Sequence, residues 1–213
     1  MYYDTLSEKK IDKNFILEYT NLPKDISNHK RDSLILRGLT LSKENNFDSL
    51  SFVFASKYAR NVALEYNSVN CKKGLKELQN LYKTKKTDDF LASYNYSKGI
   101  YHHYNSKLDS SFYYLLKAKN YYLEHNYIKY AGYVFLELLS VQLDVNDRIG
   151  LEKTVVEALT FFNKNPDYYR IASTYQYQAV SIGDFDLERA NKYFDKAIYY
   201  TDSIPDKYLK EAT

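Results

Sequence analysis

The chain has 213 residues, 45% of them hydrophobic and 27% charged, with a formal net charge of +3. That composition fits a globular fold with a sizeable core and excludes a disordered chain. The slight charge argues against a nucleic-acid binder, the single Cys71 rules out an internal disulfide framework, and no run approaches the length of a membrane helix.

Only 6 glycines and 3 prolines are present, so turns are few and helices long. Apolar residues recur at helical spacing over nearly the whole length. Thr5-Leu6-Ser7-Glu8 has the spacing of a capping box and opens the first helix, which Pro23 ends. Further helices are predicted over about 27–45, 48–67, 70–85, 88–105, 109–125, 127–144, 148–163, 167–182 and 187–203. The breaks carry Asn45-Asn46, Asn105-Ser106, Asn146-Asp147, Asn165-Pro166 and Gly183-Asp184, residues that accept turn geometry. Loops this short make neighbouring helices antiparallel. Pro205 to Thr213 read as a helix that has just begun, so the chain reads as a fragment of something longer.

A unit recurs. Ala190, Phe194 and Ala197 have counterparts 39 residues back in Leu151, Val155 and Ala158, and 40 further back in Ser111, Leu115 and Ala118. Gly74, Leu78 and Leu81, then Leu34, Gly38 and Leu41, continue the series. Spacing i, i+4, i+7 puts each triplet on one stripe of the second helix of a pair. A small first residue lets that helix approach its partner closely.

With Gly99 in the preceding helix, this pattern resembles the tetratricopeptide repeat (TPR) family. The Asn-, Lys- and Tyr-rich texture, as in Lys107 to Ala118 and Gly183-Asp184-Phe185, is similar to the TPR sensory arrays of bacterial signalling proteins, which precede a histidine kinase or a helix-turn-helix regulator. The chain departs from the family in lacking Trp and in its period of 37 to 40 rather than 34 residues. The resemblance implies an all-α, right-handed superhelical array of antiparallel helix pairs with about five repeats. It reads as a single domain over 1–213, with an N-terminal helix at 1–26, repeats at 27–204 and the start of a further or capping helix at 205–213.

No catalytic constellation stands out, so the chain reads as a non-enzyme needing no cofactor and no metal. Phosphate-cradling glycine loops and His-Glu-x-x-His are absent. Adjacent residues on a helix diverge by about 100°, so His102-His103 does not suggest a metal pair and reads as packing. The acids Asp88-Asp89 and Asp144 to Asp147 read as caps and turns.

In TPR-like arrays the first helix of each pair lines a concave groove. Placing Gly99 on the family's glycine implies groove positions at Tyr96, Ile100, His103 and Tyr104. Carried by the repeat, the register adds Ala59, Ala63, Tyr66 and Asn67 in one direction, and Tyr133, Leu136, Ser140 and Asp144 in the other. Fixed on Gly183, it gives Ser173, Tyr177 and Val180 in the last pair. Tyr, small and amide side chains suit a peptide, because Tyr supplies contact area at low entropy cost.

The expected function is therefore a non-catalytic protein- or peptide-binding module, the sensory or scaffold part of a bacterial signalling protein. The alternatives are an intracellular peptide-pheromone receptor, for which residues 1–26 are too short a companion domain, and a free-standing assembly adaptor. The expected partner is a protein or peptide in the groove, with no nucleic acid bound and no membrane entered by this segment, and with homodimerisation through an uncapped last repeat. The compartment is open: cytoplasmic as the chain stands, periplasmic as part of a membrane-anchored sensor.

Overall fold

The computed structural model describes residues 13–20, 22, 26–64, 68–85 and 88–204. Every regular element among them is helical. A short α1 (Lys13–Leu17) runs into a 3-10 turn (Glu18–Thr20), and α2 (Asn28–Glu44), α3 (Asp48–Leu64) and α4 (Ser68–Lys85) follow. Then come α5 (Asp88–Tyr104), α6 (Leu108–Glu124), α7 (Ile128–Asp144), α8 (Arg148–Lys164), α9 (Tyr168–Ile182) and α10 (Leu187–Asp202). From α2 onward these agree closely with the helices expected from periodicity. The capping box at Thr5 and the helix expected after Pro205 lie outside the described residues.

Two devices set the helix ends. Asn46, Ser106, Asn126 and Asn146 all adopt φ of 55–56°, the left-handed region. Behind each, the next N–H turns back onto the helix: Phe47 to the Ser42 carbonyl, Lys107 to His102, Tyr127 to Tyr122 and Asp147 to Gln142, at 2.8–2.9 Å. This double closure satisfies carbonyls that the helix end leaves free, and Asn tolerates its geometry better than most residues. At the opposite ends, Asp147, Asp167 and Asp186 accept the backbone N–H of Gly150, Arg170 and Arg189 at 2.9, 3.0 and 2.9 Å. These carboxylates cap α8, α9 and α10 and complement the positive ends of their dipoles.

The chain divides into two compact units, Met1–Ser97 and Lys98–Thr213, the division falling within α5. In the first, α2 packs on α3 and α3 on α4. Gly38 makes the α2–α3 approach close, because a Cβ there would run into the Phe54 ring. The bare face of Gly38 is turned to the helix that follows. Gly74 and Leu78 are buried on α4, and the Leu81 side chain lies outside the description.

In the second unit α6 packs on α7, α7 on α8, α8 on α9 and α9 on α10, and α7 also touches α9. Gly99 of α5 repeats the device of Gly38, since a Cβ there would lie 2.7 Å from the Leu115 side chain of α6. Ser111, Leu115, Ala118, Leu151, Val155 and Ala158 are all at most 1% exposed. Two apolar clusters fill the interior, one of Phe135, Ala158, Phe162 and Ile171, the other of Leu139, Leu151 and Val155. Ala190 and Ala197 face inward from α10, but Phe194, expected to pack like Leu115 and Val155, is 38% exposed. No described element covers that side of α10.

Candidate functional site

Helices two apart in the chain are tied laterally at about one repeat's separation. Lys43 of α2 pairs with Glu77 of α4, and Ser56 of α3 shares a 2.6 Å hydrogen bond with Ser93 of α5. In the second unit Lys119 of α6 reaches Glu157 of α8 at 2.8 Å, and Arg189 of α10 reaches Glu152 of α8 at 3.4 Å. Their partners stand 34 to 38 residues apart, close to the spacing of the triplets.

The odd-numbered helices of the second unit carry a more unusual set of ties. His103, in the last turn of α5, places Nε2 2.6 Å from a carboxylate oxygen of Asp144, at the end of α7. Its Nδ1 lies 3.9 Å from Glu137, one stripe back along α7. On the other side of that stripe, the Ser140 side chain neighbours the Tyr177 hydroxyl of α9. Positions 133, 137, 140 and 144 follow helical spacing, so Tyr133, Glu137, Ser140 and Asp144 line one face. His103 and Tyr177 flank it from α5 and α9.

Electrostatics follow from that arrangement. The Glu137 carboxylate raises the His103 pKa above its ordinary 6.5, burial opposes it, and the Asp144 hydrogen bond adds to the rise. At 3.9 Å the Glu137 contact is longer than a hydrogen bond, and Nδ1 itself has no hydrogen-bond partner. Burial raises the Tyr177 hydroxyl above 10.0, with Glu137, Asp144 and Tyr169 adding and Ser140 opposing. His102, next door, behaves oppositely. Its ring stacks on Tyr114 with centroids 5.5 Å apart, and burial, with Lys98 and Lys107 nearby, lowers its pKa. The two adjacent histidines therefore point into environments of opposite preference.

Four of the expected groove residues, His103, Ser140, Asp144 and Tyr177, come together here. Tyr104 stacks on His103, its ring 5.6 Å away at 11°. Tyr133 lies under the Arg170 guanidinium at 4.4 Å, Ser173 bonds the Tyr169 carbonyl at 3.0 Å, and Val180 is 53% exposed. One expectation is corrected. Tyr96 and Ile100 are 4% and 0% exposed, because their stripe points into the protein, and its last member, His103, is also buried but meets the carboxylates of α7. Leu136 and Tyr177 are both partly buried and pack on the Leu139, Leu151 and Val155 cluster, and Glu137 stands beside Leu136 on α7. Asp144, the last residue of α7, is also tied to a histidine 41 residues away. Tyr66 and Asn67 lie outside the described residues, as do the side chains of Ala59 and Ala63.

Glu137 is the residue that sequence reasoning missed. Its signal was present: it sits four residues after Tyr133 and three before Ser140, on the stripe those residues define.

The cluster can exchange a proton and can offer two carboxylates to a cation. Among the described residues no group of three His, Cys, Asp or Glu side chains is placed to hold a metal ion. No described helix is long and apolar enough to cross a membrane. Compared with family models, curated proteins and solved structures, the chain matches none.

Proposed function

We propose that this chain is a TPR-like α-solenoid that binds a peptide or protein segment without catalysing a reaction, as the sensory or scaffold part of a signalling protein. The observation that carries the reading is the lateral tying of alternate helices. α7 touches both its neighbour α8 and the next odd-numbered helix α9, and the ties recur near the sequence period. Helix pairs stacked with a regular offset give an extended face along one set of helices. On that reading, α5, α7 and α9 line the concave side. Their face offers Tyr133, Ser140 and Tyr177, which suit an extended segment, with aromatic rings as rigid contacts and hydroxyls as hydrogen-bonding groups. Binding would set the curvature of the stack, and an attached output domain would read it.

The test is selection from a displayed random-peptide library against the full chain, followed by Tyr177→Ala and Tyr133→Ala. The reading expects selected peptides to lose at least tenfold in affinity on either change, about 1.4 kcal/mol. Peptides that bind both variants unchanged would contradict it.

A further inference from the structure

We infer that the Glu137–Asp144 edge of α7 receives a positively charged side chain from a peptide partner, and that His103 occupies that place from within when it carries a proton. The inference rests on the peptide-binding reading and supplies the partner's chemistry.

Glu137 is the starting point. Its side chain is 19% exposed, and that of Asp144 54%. A carboxylate so withdrawn from water needs a compensating charge. The ion pairs of lysine and arginine described in this unit are Lys119–Glu157, Arg170–Asp167, Arg189–Glu152 and Lys192–Glu188, and none involves Glu137 or Asp144. The cation that faces them is His103, whose side chain is 7% exposed. Histidine carries its charge for only part of the physiological range. Above that range the two carboxylates face each other's charge with a neutral ring between them.

Among the described residues no lysine or arginine pairs with these two carboxylates: Arg170 of α9 lies over Tyr133 on the same face but pairs with Asp167. From α9 comes the hydroxyl of Tyr177, held neutral by burial. From α5 itself comes the Tyr104 ring, while Lys98 and Lys107 act on His102. The Tyr133 ring on this face is already covered by Arg170 at 4.4 Å, so the place left for a partner's cation is the pair of carboxylates. The whole chain is net positive, so attraction of a basic segment is a property of this face and not of the overall charge. Protonated His103 and an incoming lysine compete for the same carboxylates, which makes binding weaken in acid.

The probe is an N-acetylated, C-amidated Ala-Lys-Ala-Lys-Ala peptide, titrated at low salt into the isotope-labelled full chain, beside versions with Gln or Glu for Lys. The lysine peptide is expected to shift amides over 137–144 and 173–177 and to bind at least several-fold more weakly at about pH 5.5 than at about pH 8. His103→Gln keeps an amide donor for Asp144 and should flatten that pH dependence. Glu137→Gln combined with Asp144→Asn should abolish binding in a variant shown by circular dichroism to be folded. If that pair unfolds, Asp144→Asn alone, at a half-exposed site, should cost several-fold. Equal binding of the Gln or Glu peptide to this face would overturn cation recognition and leave the peptide-binding reading standing. If none of the three peptides shifts this face, cation recognition fails, and the library selection alone decides the peptide-binding reading. Unchanged lysine affinity across the pH range would overturn the competition by His103.

Discussion

Nε2 of His103 lies 2.6 Å from the Asp144 carboxylate, although the two residues are 41 apart in sequence. The contact joins the last turn of α5 to the end of α7 and makes the link between them sensitive to protons. Because the folded protein raises the His103 pKa above 6.5, the stabilisation it provides is complete below that ordinary value. It is lost as pH rises through the elevated folded value. Thermal melts of wild type and His103→Gln should therefore differ most below about pH 6.5 and converge in mildly alkaline solution. A gap that widened with rising pH would contradict the ion-pair account.

The neighbouring histidine should titrate on the other side of the ordinary value. Burial, Lys98 and Lys107 favour neutral His102, whereas Glu137 and Asp144 favour charged His103. A side-chain NMR titration should find His102 below 6.5 and His103 above it. Replacing Asp144 by Asn should lower only the second.

Two glycines should respond oppositely to a methyl group. At Gly99 the added Cβ would stand 2.7 Å from Leu115, including a fixed part of the α6 core. Gly99→Ala should cost about 1–3 kcal/mol by overpacking, even against the gain in helix propensity. Gly183 ends α9 with φ of −55°, and its nearest contact to an added Cβ is an ordinary 3.5 Å. Gly183→Ala should be neutral or stabilise by up to about 1 kcal/mol. Denaturant midpoints of the two variants compare them directly.

Ser106 holds φ of 55° where the other three such turns use Asn. A left-handed conformation costs most side chains about 1–2 kcal/mol. Ser106→Gly should therefore raise stability by about 1 kcal/mol. In contrast, Asp186→Ala removes the carboxylate that accepts the Arg189 N–H and should lower stability by about 1 kcal/mol. Both are readable as shifts in melting temperature.

Helix positions were legible because the helices carry local information: a 3.6-residue apolar period, an Asp that caps the start of α8, α9 and α10, and an Asn that turns the end at Asn46, Asn126 and Asn146. The direction each helix faces was less so. Tyr96, Ile100 and His103 share a stripe and are all buried, and the sequence does not say that the third of them meets the carboxylates of α7. Leu136 and Glu137 are neighbours, and the expected register names the first and passes over the carboxylate beside it. Asp144 looked like one more turn acid because its partner lies on another helix a full repeat away. Phe194 has the triplet's spacing but not the burial of Leu115, since burial depends on what packs next. Local chemistry fixed the elements, and contacts between elements fixed the site.

The central claim is that the face of α5, α7 and α9 holds a peptide. Hydrogen exchange of the full chain, with and without a peptide selected from a displayed library, tests it most directly. The account predicts slowed exchange in the last turn of α5, along α7 and along α9. Slowing confined to α8 and α10, with the odd-numbered helices unchanged, would contradict it.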